Sequence, residues 1–133
     1  MTASQSVIAV LDDEPQLLKA LSRLLKTHGY LVETFAAGED LLAACARRSF
    51  ACVLLDLHLP GLSGFDVLGR FAQAGWPGPV IVITGHDEPG NAGRVRALGA
   101  DGYLLKPLDE SRLLIALDHA AHSPPPTGYP TTP

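Results

Sequence analysis

The sequence predicts an α/β protein: a doubly wound, five-stranded parallel sheet in the order 2-1-3-4-5, with five helices. Three apolar runs without interruption, which begin at Val7, Ala51 and Val80, are typical of strands buried on both faces. Segments with leucines at helical spacing alternate with these runs, which is the pattern of a parallel sheet with helical connections. Because such connections are right-handed, this strand order is the usual solution.

The first five elements follow directly from these patterns. Val7–Leu11 is the first apolar strand, and the leucines of Leu17–Lys26 recur on one face of a helix. Leu31–Phe35 is shorter and less apolar, so we expect it near an edge of the sheet. Gly38–Arg48 has one apolar face and is expected to form the second helix. Ala51–Asp56 is the central strand, and a Pro-Gly pair soon after it stops regular structure.

The remaining elements have weaker signals. Ser63 is a suitable N-cap for the third helix, and Val80–Ile83 is again a fully apolar strand, which closes on Thr84. Pro89–Leu98 contains two glycines, but Val95 and Leu98 give it one apolar edge, so we expect only a weak helix there. Gly102–Leu105 is the last strand, and the final helix begins at Asp109 or Ser111.

Length and composition indicate one ordered domain, residues 1–122, followed by a disordered, proline-rich tail or linker, residues 123–133. The formal net charge of −4 gives no basic surface for direct binding of nucleic acid. No apolar run is long enough to span a membrane and the first residues have no signal pattern, so we expect a cytoplasmic protein. Cys45 and Cys52 lack the spacing of metal or redox sites and are expected to be buried structural thiols.

Four of the predicted strands end in polar residues or are followed directly by them: Asp12 and Asp13, Asp56, Thr84, and Lys106. In this topology the four strand ends face one crevice, where open α/β sheets bind ligands. Each residue taken alone could instead have a common structural role, as a turn residue, a helix start, a strand residue or a surface charge. Three carboxylates would repel one another unless a cation joined them, and Mg²⁺ prefers such oxygen ligands. A carboxylate beside Mg²⁺ and a lysine is a competent nucleophile toward phosphorus.

Together, Asp12-Asp13, the segment from Leu55 to Gly64, Thr84 and Lys106-Pro107 resemble the receiver domain of two-component response regulators. The resemblance covers about residues 7–121 and depends on the ordered set rather than on any single motif. It implies a flavodoxin-like fold and makes residues 1–122 a receiver domain. The run that ends in Thr84-Gly85-His86 is similar to receivers of nitrogen-fixation transcription regulators.

The resemblance implies a phosphoacceptor signalling domain that assists its own phosphorylation and dephosphorylation, rather than an enzyme with a separate substrate. Asp56 would accept a phosphoryl group from the phosphohistidine of a histidine kinase or a phosphotransfer protein. Asp13, Asp56 and the backbone carbonyl of His58 would bind Mg²⁺ directly, and Asp12 would bind it through water.

The resemblance also implies how the signal is passed on. Lys106 would contact the phosphoryl group, with a cis peptide bond to Pro107, and Thr84 would hydrogen-bond a phosphoryl oxygen. Tyr103 matches the switch aromatic, which turns inward as Thr84 moves. The surface of helix 4, strand 5 and helix 5 would then act on a downstream protein target or on an output domain missing from this sequence. Apolar residues near the last helix could support a phosphorylation-dependent homodimer, although nothing in the sequence requires one.

Three other classes of function remain open at this stage. A degenerate receiver would bind partners without being phosphorylated. A hydrolase with an aspartyl-phosphate intermediate usually needs a second aspartate two residues after the nucleophile, where this chain has His58. A flavin-binding module of similar topology would need a phosphate loop rich in Ser, Thr or Gly after the first strand. This chain has two aspartates there, and they would repel the flavin phosphate.

Overall fold

Five parallel strands form one sheet in the order β2-β1-β3-β4-β5, as predicted. The computed structural model describes residues 7–122, so the tail expected at residues 123–133 lies outside the described residues. The strands are β1 Val7–Leu11, β2 Leu31–Phe35, β3 Cys52–Asp56, β4 Val80–Thr84 and β5 Gly102–Leu105. The helices are α1 Pro15–Thr27, α2 Gly38–Cys45, α3 Gly64–Ala74, α4 Asn91–Leu98 and α5 Glu110–His122.

The three central strands carry the core on both faces of the sheet. Successive residues of β1 and β3 point to opposite faces, so Ala9 and Leu11 pack on one side and Ile8 and Val10 on the other. Helices α2, α3 and α4 cover the first face, and helices α1 and α5 cover the second. Each fully buried Leu or Ile contributes about 1.5–3 kcal/mol, which explains why the three apolar runs identify the centre of the sheet.

Two helices begin or end at residues that differ from the prediction. Helix α2 ends at Cys45 rather than at Arg48. Beyond the helix, Arg48 forms an ion pair with Glu33 of β2, and its guanidinium lies 4.7 Å from the centre of the Phe50 ring. Helix α4 begins at Asn91 rather than at Pro89, because Gly90 has a φ of 87°, which a helical residue does not adopt.

Packing holds α4 in place where its own sequence does not. Val95 is fully buried, and the Arg94 guanidinium carbon lies 3.8 Å from the centre of the Phe65 ring on α3. At the other end of the helix, Trp76 packs directly against Gly99. The helix therefore forms despite weak propensity, because tertiary contacts override the local preference.

Gly64 fixes the start of α3 against the end of β3. A Cβ atom there would lie 2.6 Å from the carbonyl oxygen of Asp56 and 2.7 Å from the Cα of Leu57, both backbone atoms. Only glycine permits this approach. The predicted N-cap Ser63 is confirmed, and it forms a reciprocal capping box with Asp66.

None of the helices described within residues 7–122 has both the length and the apolar character needed to cross a membrane.

Candidate functional site

The sheet register brings the predicted site residues to one edge. Leu11 pairs with Leu55, so Asp12 lies beside Asp56, and Thr84 pairs with Leu105, which precedes Lys106. The backbone pairing of β4 with β5 extends one residue beyond β5, because Lys106 N–H donates to the carbonyl oxygen of Thr84 at 2.8 Å. The carboxyl ends of β1, β3, β4 and β5 therefore form one crevice, as expected for this fold.

Asp12, Asp13 and Asp56 form an acidic pocket at the centre of this crevice. One carboxylate oxygen from each residue lies within 4.8 Å of the others. Asp12 is fully buried and Asp56 is 3% exposed, whereas Asp13 is exposed to solvent. Backbone groups orient the two buried carboxylates: Glu14 N–H donates to Asp12 Oδ1 at 2.9 Å, and His58 N–H donates to Asp56 Oδ1 at 3.3 Å.

Among residues 7–122, one ammonium faces this pocket. Lys106 Nζ lies 2.8 Å from Asp12 Oδ2, 3.2 Å from Glu14 Oε1 and 3.5 Å from Asp56 Oδ2. Burial disfavours the charged ammonium, but the bond to Asp12 and the negative charges of Asp56 and Asp12 outweigh burial and raise the pKa of Lys106. The lysine therefore stays charged and bridges the buried carboxylates.

The charge of Asp56 is destabilised in this environment. Burial is the largest cause that raises the pKa of the Asp56 carboxyl, and repulsion from Asp12 adds to it. The Lys106 ammonium and the His58 N–H act in the opposite direction without fully compensating. An additional positive charge in the pocket would lower the pKa of Asp56 again and stabilise its ionised form.

The pocket has the donor set of a hard divalent cation. All three side chains offer carboxylate oxygens, which suit Mg²⁺ rather than a soft metal. Asp12 Oδ2 is buried, and apart from the Lys106 ion pair no group among residues 7–122 hydrogen-bonds it. The residues present therefore fit a bound cation that would share this oxygen with the lysine.

Thr84 and Tyr103 lie outside the acidic pocket and contact the loop that follows β4. The buried Thr84 hydroxyl donates to the carbonyl oxygen of His86 at 3.2 Å and accepts from His86 N–H at 3.1 Å. The half-buried Tyr103 hydroxyl donates to Asp87 Oδ1 at 2.9 Å. Asn91, at the start of α4, also donates to the His86 carbonyl oxygen at 3.3 Å. One loop thus connects the end of β4, the side chain on β5 and the start of α4.

Three residues of this network were not predicted from the sequence. Glu14, Asp87 and Asn91 all contact predicted site residues or their loop, yet none follows a strand directly. For Glu14 a signal existed, because the acidic run continues from Asp13 to the position before Pro15.

The Lys106–Pro107 peptide bond is cis, as the resemblance implied.

The two cysteines are separate from this site. Cys52 is buried as expected, but Cys45 is only half-buried. Burial raises the pKa of Cys45 to about 11 and that of Cys52 to about 12, so neither thiol is ionised at neutral pH.

Comparison with known proteins agrees with the fold and the pocket. The family profile of the response regulator receiver domain matches residues 8–118. The chain is 39% identical over 113 residues to the transcriptional regulatory protein KdpE of Mycobacterium tuberculosis, a match that covers 84% of this chain and 49% of that protein. It is 34% identical over 113 residues to the transcriptional regulatory protein FixJ of Bradyrhizobium diazoefficiens, covering 85% and 55%. The crystallised chemotaxis protein CheY4 of Vibrio cholerae superimposes with a TM-score of 0.80 at 27% identity, covering 88% of this chain and 99% of that one.

These matches decide the family. The chain spans about half the length of the curated relatives it matches. The similarity to FixJ confirms the predicted resemblance to nitrogen-fixation-type regulators. The profile covers most of the chain, and the relatives are response regulators. The protein therefore belongs to the receiver domains of two-component response regulators.

Proposed function

We propose that Asp56 accepts a phosphoryl group from the phosphohistidine of a histidine kinase or a phosphotransfer protein. The observation that carries this proposal is the buried Asp56 carboxylate, which shares the Lys106 ammonium with a second buried carboxylate, that of Asp12. A purely structural ion pair would not need three carboxylates within 4.8 Å. Asp56 is also the carboxylate at the end of a central strand, at the sheet edge where the crevice lies.

The proposed transfer needs little from the protein beyond positioning and charge. A carboxylate oxygen of Asp56 attacks phosphorus, the bond between phosphorus and the donor breaks, and its electron pair leaves with the donor. Lys106 would contact the transferred group and stabilise its negative charge, because its Nζ already lies 3.5 Å from Asp56 Oδ2. The His58 N–H holds the carboxylate in orientation. Thr84 would turn its hydroxyl from the His86 backbone toward a phosphoryl oxygen.

Asp12, Asp13 and Asp56 are the side chains that would hold Mg²⁺, and the backbone carbonyl of His58 is proposed as a further ligand. When bound, the ion supplies the positive charge that these carboxylates and the transferring oxygens need. In our proposal Asp13 and Asp56 bind directly and Asp12 binds through water.

The response would pass to a switch face formed by α4, β5 and α5. A cavity of about 620 Å³ on this face is lined by Tyr103, Lys106 and residues of the start of α5. Leu105 is 47% exposed and Ile115 is 70% exposed, so the face carries apolar surface. A phosphoryl group adds roughly 1.5–2 negative charges, and a move of Thr84 would release the loop that now holds Tyr103 through Asp87. The partner would be an output domain, a separate protein target or a second phosphorylated copy.

In this proposal the chain is a phosphoacceptor and not an enzyme with a separate substrate, although it would assist loss of its own phosphoryl group. A cytoplasmic location and the boundary at residue 122 remain expectations from the sequence.

Labelling by a small donor tests this function without knowledge of the kinase. The protein is incubated with acetyl phosphate in Mg²⁺ or in EDTA, and the intact mass is measured. We expect the mass of one phosphoryl group in Mg²⁺ only, in the wild type and in the surface control Glu39→Gln, and none in Asp56→Asn. Labelling of Asp56→Asn to the wild-type level, or no labelling of the wild type, would refute the proposal.

A further inference from the structure

Two histidine side chains form a pair beside the acidic pocket. The ring centres of His58 and His86 lie 5.0 Å apart with an interplanar angle of 78°. His58 belongs to the loop after β3 and His86 to the loop after β4, so the pair spans two loops. Both residues are exposed, and among residues 7–122 neither ring has a hydrogen bond or an ion pair. Their ring nitrogens are therefore available to a ligand.

The spacing of this pair fits a shared transition-metal ion. With metal–nitrogen bonds of about 2.0–2.1 Å, two imidazoles in adjacent positions on one ion have ring centres roughly 4.5–5.2 Å apart. The observed 5.0 Å lies within this range. The rings meet edge to face, an arrangement that ring contact alone also produces at about 4.5–7 Å, so a metal titration must distinguish the two.

The backbones beneath both rings are already fixed. His58 N–H donates to Asp56 Oδ1, and the N–H and carbonyl groups of His86 bond to Thr84 and Asn91. Binding would therefore cost mainly the freedom of the exposed side chains, because the loops need little rearrangement.

We propose that His58 and His86 form a site for a borderline divalent transition metal, with Cu²⁺ bound more tightly than Ni²⁺. Imidazole nitrogens suit these ions, whereas Mg²⁺ prefers the oxygen ligands of the acidic pocket. The site is thus chemically distinct from the neighbouring pocket, and the remaining coordination positions belong to water. A bound ion ties the loop after β3 to the loop after β4. This proposal does not depend on phosphorylation of Asp56.

Electron paramagnetic resonance of the intact protein with one equivalent of Cu²⁺ tests the site. Excess Mg²⁺ is present to occupy the acidic pocket. We expect coupling to two imidazole nitrogens in the wild type, and loss of the two-nitrogen signal in His58→Ala and in His86→Ala. Each substitution should weaken Cu²⁺ binding at least about tenfold, since even outer partners of metal ligands have effects of this size. Circular dichroism verifies that each variant is folded, as expected for exposed positions.

Two controls exclude other sites. His119 and His122 lie three residues apart on α5 and are the alternative histidine pair. If the signal comes from His58 and His86, His119→Ala must leave it unchanged. Asp13→Asn must leave it unchanged as well, because the acidic pocket offers oxygen ligands. A wild-type signal in His86→Ala, or its loss in His119→Ala or Asp13→Asn, would overturn the proposal. Acetyl phosphate labelling of the wild type without transition metals separately tests the proposed function.

Discussion

Replacement of Asp56 by asparagine is expected to stabilise the metal-free protein at neutral pH. Asp56 is 3% exposed, and burial together with Asp12 raises the pKa of its carboxyl. The ionised side chain therefore opposes folding when no cation is bound. Asparagine keeps the shape and the hydrogen-bonding capacity of the side chain and removes its charge.

Distances in the acidic pocket give the size of the effect. Carboxylate oxygens of Asp12 and Asp56 lie within 4.8 Å, a repulsion of about 3.5 kcal/mol at an effective dielectric constant of about 20. Lys106 Nζ lies 3.5 Å from Asp56 Oδ2, and the attraction between these two charges is about 4.7 kcal/mol at the same dielectric constant. These two terms leave a net attraction of about 1.2 kcal/mol, so the desolvation of the carboxylate, which must exceed this attraction, decides the sign. We expect a net gain of about 1–3 kcal/mol in the free energy of unfolding.

The gain must depend on pH in a defined direction. Above the raised pKa of the folded state, wild-type Asp56 is ionised and the penalty is complete. Below the unfolded-state pKa of about 3.9 the carboxyl is protonated in both states, and the penalty is absent. The advantage of Asp56→Asn is therefore largest above the raised pKa of the folded state and disappears as the pH falls to about 4.

Thermal unfolding in EDTA measures the effect, with a rise in the midpoint of about 3–5 °C for each kcal/mol. Glu39→Gln, which removes an exposed carboxylate from the first turn of α2, must show no such gain. Mg²⁺ at 100 times its dissociation constant should stabilise the wild type by about 2.7 kcal/mol and Asp56→Asn by less. An Asp56→Asn midpoint at or below the wild-type midpoint in EDTA at pH 7 would refute the electrostatic reasoning.

Four further substitutions test separate parts of the site. Lys106→Met should slow acetyl phosphate labelling about 100-fold, the usual effect of removing one charge-stabilising donor; an unchanged rate would remove the lysine from the mechanism. Gly64→Ala should destabilise the fold by about 1–3 kcal/mol in chemical denaturation, because the Cβ meets the Asp56 backbone; full stability would contradict the close approach. Arg94→Ala should speed amide exchange in α4 and cost about 0.5–1 kcal/mol through loss of the Phe65 contact, whereas the same exchange rates as in Arg96→Ala would argue against it. Glu14→Gln should increase the labelling rate severalfold, because Glu14 competes with Asp56 for the lysine; a decrease would show that Glu14 supports the transfer instead.

Sequence patterns predicted the sheet because the central strands are buried on both faces and must be apolar throughout. The same logic placed Asp12, Asp56 and Lys106 at one edge, since each follows a strand directly. It could not predict where α2 ends, because the ion pair of Arg48 with Glu33 joins the residues after α2 to strand β2. Helix α4 likewise depends on Arg94 and Phe65, a pair that no local pattern connects.

Contacts through loops were also beyond sequence reasoning. Tyr103 was matched to a switch aromatic, but its bond to Asp87 depends on the path of the loop after β4. The loops that carry His58 and His86 follow neighbouring strands, so their closeness could be expected from the strand order, but the ring geometry could not.

Peptide mapping of the acetyl phosphate-treated protein tests the central claim most directly. Our account predicts one phosphoryl group, formed only with Mg²⁺, on the side chain of Asp56. A phosphoryl group on any other residue, or a protein that stays unmodified while folded and in Mg²⁺, would contradict it.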